Sequence, residues 1–233
     1  MKIFKSVLLL MIFSGICIMA KTEVKVPEIK TETVYINGNK NYEIIKPVFT
    51  NNVKFKAVND EINKLIDVEA LKEDEKEICV NDPERCGDYV VSVGPDLIYA
   101  DNNVISFTIN GYQYTGGAHG GSWVTAFLVN RKTGKIITDT LKTNNKAIFN
   151  KIQKYITDNP EGIFFEDKYT AEDLMNNAVV YQSDKDTIGI MYMSYAVAPY
   201  AAGMPEFEYN TKTKKLYFLD GYSGEKVQKI EIK

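Results

Sequence analysis

The chain has 233 residues, 45% of them hydrophobic, 12% aromatic and 25% charged, with a formal net charge of −3. This is globular composition, with apolar mass for one good core or two small ones. Only Arg85 and Arg131 are arginines, so the basic face with which nucleic-acid binders displace counterions is lacking and no nucleic-acid partner is expected.

The first twenty residues differ from the rest. Met1-Lys-Ile-Phe-Lys5 is a short basic start, Ser6 to Ala20 is almost wholly apolar, and Ile18-Met-Ala20 is a small-residue exit. Residues 1–20 therefore read as a secretory signal peptide, since an apolar run of roughly 15 residues is too short to span a bilayer comfortably. An uncleaved anchor and, through Cys17, a lipoprotein are the alternatives, although Ile16 stands where lipid attachment favours a small residue. Membrane association is thus expected only through an uncleaved or lipidated N-terminus. The expected address is exported: periplasmic, cell-envelope or extracellular. Loss of residues 1–20 removes Lys2 and Lys5 and leaves 26 basic and 31 acidic residues, a net charge of −5. A basic partner suits that balance better than an acidic one.

Residues 21–41 form an extended, lysine-rich lead-in that ends in a hairpin signal. There Val34-Tyr-Ile36 and Tyr42-Glu-Ile-Ile45 flank Asn37-Gly38. Pro47 is expected to bend the chain. Val58, Ile62, Leu65 and Ile66 then recur at helical spacing, opposite Asn59, Asp60, Asn63 and Lys64. The charged run Lys72 to Glu77 extends that helix or follows it as a solvated face. Cys79 and Cys86 come next, with the turn-forming Asn81-Asp82-Pro83 between them. A disulfide there suits an exported chain and closes a small loop, for about 2.5 kcal/mol on the loop-entropy model. Two free thiols are the alternative. Two cysteines do not complete a structural zinc site without further ligands.

The chain then turns to β. Tyr89 to Val93 and Leu97 to Ala100 precede Val104 to Tyr114, where Ile105, Phe107 and Ile109 alternate with Ser106, Thr108 and Asn110. That alternation predicts one buried face and one wet face. From Val124 to Val129 both faces are apolar, as in a central strand. Asn130 to Lys135 is a hairpin turn leading to Ile136 and Ile137. A second helix is expected from a cap at Thr143 or Asn144, with the stripe Ile148, Ile152, Tyr155 and Ile156, stopped at Asn159-Pro160. Ala171 to Asn177 reads as a short third helix. The remaining strands are Val179 to Tyr181, Ile188 to Tyr195, Glu206 to Tyr209, Leu216 to Leu219 and Val227 to Ile232. The fold class is α+β: antiparallel sheets, each packed with a helix, in successive subdomains over 42–130 and 131–233.

Two loops stand out. Gly111 to Trp123 holds five glycines, three aromatics and the one histidine of the chain. Tyr195-Ala-Val-Ala-Pro-Tyr-Ala-Ala-Gly-Met-Pro205 combines small residues, two prolines and two tyrosines. Gly116, Gly117, Gly120, Pro199 and Gly203 are the residues expected to shape these loops. Taken together, Tyr114-Thr-Gly-Gly-Ala-His-Gly120, the Gly134-Lys135 hairpin and Tyr195 to Gly203 resemble a paired extracytoplasmic module, from about Tyr42 to about Tyr209. That module forms the outer, lysozyme-sensing part of RsiV-type anti-sigma factors and the region ahead of the catalytic domain in PdaC-type peptidoglycan deacetylases. It also occurs alone in exported proteins of unknown function. An anti-sigma factor of this kind carries a cytoplasmic segment and a membrane helix before the sensor, whereas only Met1 to Lys5 precede the apolar run here. The deacetylase's metal chemistry wants two histidines and an aspartate, and this chain has one histidine. The resemblance implies the fold, an export address and, by analogy, a binding role toward a lysozyme-like protein.

Among the candidate residues, His119 reads as a metal ligand, a general base, a pH-sensitive contact or simply the brace of its glycine loop. Ser122 lies three residues on, with no nucleophile elbow or oxyanion arrangement around it. Glu161, Glu166, Asp167, Glu172 and Asp173 read mainly as solvated charges. Tyr112, Tyr114, Trp123, Tyr195 and Tyr200 read either as a face that stacks on sugars or anchors a protein, or as aromatics that β-sheets prefer. Tyr114, His119, Trp123, Tyr195 and Tyr200 are the candidate ligand-binding set. No nucleotide-binding motif or zinc spacing occurs, so no cofactor or metal is expected; no enzymatic activity is expected either, with an unrecognised hydrolase as the last-ranked alternative. The expected role is a binding protein of the cell envelope, with a lysozyme-like protein or peptidoglycan as partner.

Overall fold

The computed structural model describes residues 26–84, 86–220 and 228–232; the expected signal peptide, Cys17 and the first residues of the lead-in lie outside them. The chain forms two five-stranded sheets in succession. The first has the order β1 (Ile29–Ile36), β2 (Asn39–Phe49), β3 (Val90–Ala100), β4 (Val104–Tyr114), β5 (Gly121–Asn130). It is antiparallel except for β2 and β3, which pair in parallel through Tyr42–Ile44 and Val91–Val93. A parallel pair needs a crossover, and α1 (Lys56–Leu65) and α2 (Val68–Asn81) supply it. The expected Asn37-Gly38 hairpin joins β1 to β2, with both residues at positive φ. The strand ahead of it begins earlier than the sequence pattern suggested, so much of the lead-in is sheet. Pro47 does not bend the chain. It lies within β2 opposite Thr31, beyond the residues paired with β3, where a missing N–H is tolerated on an unpaired side.

The helical stripe on α1 works as its spacing requires: Val58 and Ile62 are fully buried against Phe49, Phe107 and Phe127 of the sheet. Asn59, on the flank of that stripe, accepts from the Phe49 amide at 2.9 Å and donates to its carbonyl at 3.0 Å, which ties α1 to the end of β2. α2 is a separate helix, capped by Asp67. Cys79 in its last turn is disulfide-bonded to Cys86, which settles the two cysteines as a bridge rather than free thiols.

The second sheet runs β10 (Gln228–Ile232), β9 (Leu216–Asp220), β8 (Glu206–Asn210), β7 (Thr187–Met191), β6 (Val179–Asp184), all antiparallel. α4 (Ile148–Asp158) buries Ile148, Ile152 and Ile156 with Phe207 and Phe218 of this sheet. α5 (Ala171–Asn177) begins with a reciprocal capping box between Thr170 and Asp173. Neither Thr143 nor Asn144 caps α4. They end a separate short helix, α3 (Thr138–Asn144), and α4 starts after Ala147 with no side-chain cap. Its expected stop holds, with Asn159 in the left-handed conformation.

Contact between the halves corrects two readings of the first sheet. Ser106 and Thr108 are not wet: they are 0% and 1% exposed. The second sheet covers their face, where Ser106 Oγ accepts from the Gln182 amide of β6 at 3.1 Å. β5 is not central either. It ends the sheet order, and its two apolar faces are explained by the helices on one side and by a third apolar cluster on the other. That cluster joins Val124 and Ala126 to Tyr181, Met191, Met193 and Met204.

Candidate functional site

The glycine loop spans residues 115–120, between the ends of β4 and β5. Gly116 and Gly117 sit at φ 97° and 95°, a region that side-chain-bearing residues rarely adopt. At Gly120 the constraint is space, because a Cβ there would lie 2.5 Å from the Tyr112 ring and 2.6 Å from the Gln113 carbonyl. Tyr114 braces the loop by donating its hydroxyl to the Gly117 carbonyl at 3.0 Å. The chain therefore projects His119 outward, exposed, at the end of the hairpin.

The second loop joins β7 to β8. The Tyr192 amide donates to the Pro205 carbonyl at 2.9 Å, closing its base, and the Tyr195 amide donates to the Ala198 carbonyl at 3.0 Å. Pro199 leads into a short 3-10 turn over Tyr200–Ala202 that ends at Gly203, at φ 70°. Tyr195 has φ 68° and is 55% exposed. A bulky residue at positive φ is strained, and such strain is typically held by surrounding structure at a binding or switching site.

The two loops meet. His119 stacks on Tyr200 with ring centroids 3.9 Å apart and an interplanar angle of 15°. Its Nε2 lies 3.1 Å from the Tyr195 hydroxyl, and its Nδ1 lies 3.0 Å from the Gly120 carbonyl. A carbonyl only accepts, so Nδ1 is the donor there. In the neutral ring Nε2 then accepts from Tyr195. Both ring nitrogens are thus engaged away from Ser122, which lies in β5 opposite Tyr112. The outcome is an aromatic platform of His119, Tyr195 and Tyr200, with His119 and Tyr195 76 positions apart in the chain.

Trp123 does not join it. Its ring lies over Gly111, where a Cβ would approach it to 2.0 Å, and it packs with the helix-covered core of the first sheet. Of the five candidate residues, three form the platform, Tyr114 braces one of its loops, and Trp123 faces the other side of the hairpin. Of the five acidic residues singled out in the second half, Glu166 and Glu172 are exposed, as expected of solvated charges, and the other three are locally occupied. Tyr155 donates to Glu161 at 2.9 Å, Tyr169 donates to Asp167 at 3.4 Å, and Asp173 belongs to the α5 cap. Among the described residues one group, Glu75, Cys79 and Cys86, has metal-ligand atoms close together. However, its sulfurs are bonded to one another, and Glu75 accepts from Asn37 at 2.7 Å.

Sequence reasoning missed two half-buried polar sites between the halves. Asp96 accepts from Asn110 at 2.6 Å, and burial holds its carboxyl above the usual range. Glu206 accepts from the Tyr181 hydroxyl, and burial pushes it up to about 7. Neither left a signal, since a carboxylate in an amphipathic strand normally reads as its wet face.

Comparison with known proteins follows the same division. Residues 29–122 match the family model described as Deacetylase PdaC, and residues 133–209 match that of a protein of unknown function, DUF3298. These are the two parts of the resemblance drawn from the loops. Similar solved structures include a DUF3298 family member from Bacteroides fragilis NCTC 9343. It is 17% identical with a TM-score of 0.40, covering 79% of this chain and 89% of that one. Another is a DUF3298 family protein from Pseudomonas aeruginosa PAO1, 13% identical with a TM-score of 0.45, covering 77% and 87%. No curated protein matches the chain.

Proposed function

We propose that this chain is an exported, non-catalytic binding protein of the bacterial cell envelope, and that it presents the His119–Tyr195–Tyr200 platform to a basic protein of the lysozyme class. The observation that carries this reading is the convergence of two shaped loops on one surface, where exposed His119 and Tyr195 meet half-buried Tyr200 and Tyr195 is held in a strained conformation to complete it. Aromatic anchors of limited side-chain freedom are what protein interfaces favour at their centres. The disulfide suits an oxidising compartment, and the net charge of −5 without residues 1–20 suits a basic partner.

The test immobilises residues 21–233 in oxidised form and passes hen-type lysozyme over them at two salt concentrations. Binding that weakens with salt and drops at least about tenfold in Tyr200→Ala supports the reading, as expected of a central aromatic. Absence of binding at micromolar concentration and low salt removes the lysozyme class. A second reading, peptidoglycan held by stacking on the same rings, draws on the affinity of aromatic faces for apolar surface. Co-sedimentation with purified sacculi, lost in Tyr200→Ala, would favour it.

A further inference from the structure

On the opposite side of the same hairpin lies a groove of about 250 Å³. Its apolar surface comes from Leu65, Leu71, Val91, Val93 and Trp123, and its one charged lining residue is Asp67. The groove exists because α1 ends at Leu65 and α2 starts afresh at Val68, which leaves a notch over the ends of β3 and β5.

The carboxylate at its rim is half used. Asp67 Oδ1 caps α2, accepting from the Glu69 amide at 3.1 Å and the Ala70 amide at 3.0 Å. No partner engages Oδ2 among the described residues. The cap places the carboxylate against the positive end of the helix dipole, roughly half a charge. The α2 residues that line the groove, Ala70 and Leu71, are uncharged, so Asp67 supplies the charge that the groove presents. An apolar groove with a Trp ring and one accepting carboxylate oxygen at its rim calls for a ligand with an alkyl stem and a cationic head.

We propose that the groove takes a lysine side chain of the protein partner, its stem along Leu65, Leu71, Val93 and Trp123 and its ammonium on Asp67 Oδ2. Lysine fits better than arginine, because a guanidinium is matched by both oxygens of a carboxylate and one of these is spent on the helix cap. The platform and the groove flank one hairpin end, so a basic protein gripping that end reaches both. The assignment deepens the binding reading above and relies on it only for the source of the lysine.

The experiment uses the chain's single tryptophan, Trp123, as its own reporter. Trp123 emission is titrated with n-butylammonium, butyrate and butanol in the wild type, Asp67→Asn, Ala70→Leu and Tyr200→Ala. Asparagine caps a helix as well as aspartate does, so Asp67→Asn removes the charge and keeps α2. Ala70→Leu, at an exposed lining position, fills the groove and keeps the charge. The expected result is a saturable change with butylammonium and not with butyrate. Asp67→Asn should weaken it about fivefold, the size of one partly exposed ion pair. Ala70→Leu should abolish it, and Tyr200→Ala should leave it intact. An emission that ignores butylammonium, responds equally to butyrate or titrates identically in Asp67→Asn overturns the assignment. Lysozyme binding is read separately, so failure of the platform shows as lost protein binding with the butylammonium titration unchanged.

Discussion

Replacing Glu206 by glutamine should change how stability depends on pH. Glu206 opens β8 and accepts from the Tyr181 hydroxyl of β6 across the second sheet. Burial is the largest influence on its carboxyl. The Tyr181 bond and Lys229 favour ionisation, Glu208 opposes it, and the result is a rise from 4.5 to about 7. Lys229 is itself paired with Glu208, so it neutralises Glu206 only in part. The folded state therefore binds a proton that the unfolded chain releases near 4.5. Stability from this group is fully present below the unfolded value and is lost as pH rises through about 7. The shift of about 2.5 units corresponds to a loss of about 3 kcal/mol by pH 8. Glutamine offers Tyr181 the same accepting oxygen without a charge to bury. Urea unfolding of wild type and Glu206→Gln from pH 4 to 8 should give near-equal stabilities at pH 4 and a variant more stable by about 3 kcal/mol at pH 8. Comparing the two proteins cancels the opposite contributions of Glu28, Asp101 and Asp173, whose carboxyls are held low. Parallel pH profiles for the two proteins would refute the argument.

Three further outcomes are expected. Cys79→Ser with Cys86→Ser should cost about 2.5 kcal/mol in chemical denaturation, the loop-closure entropy of a short bridge, and reductant should have the same effect on the wild type alone. Gly134→Ala should cost about 3 kcal/mol, because Gly134 has φ 70° and an added Cβ would lie 2.0 Å from the Lys54 carbonyl; a Tm within a degree of wild type would contradict this. Tyr195→Gly removes about 1 kcal/mol of positive-φ strain along with the bond to His119, so it should leave the Tm unchanged or raised while weakening whatever the platform binds. A clear loss of Tm would mean that Tyr195 is there for stability.

Sequence alone determined whatever rests on local periodicity and backbone chemistry. The stripes Val58/Ile62 and Ile148/Ile152/Ile156 fix a helix face whatever lies beneath it. Asn37-Gly38 fixes a hairpin because both residues accept positive φ, and a pair of cysteines across a turn pointed to a bridge that the structure then showed. The two loops were also legible, because glycines and prolines at such density have few other uses. The partner of each face was not. Ser106 and Thr108 are ordinary wet-face residues until a second sheet covers them, and β5 passes for a central strand because burial on both faces leaves the same pattern at the end of a sheet as in its middle. Trp123 and His119 lie four residues apart, yet the hairpin sends one toward the helices and the other toward Tyr200. No short-range pattern encodes the stacking of His119 on a ring 81 positions later. Contacts of that span depend on how the whole chain packs, and so only the tertiary structure decided which aromatic residues form one surface.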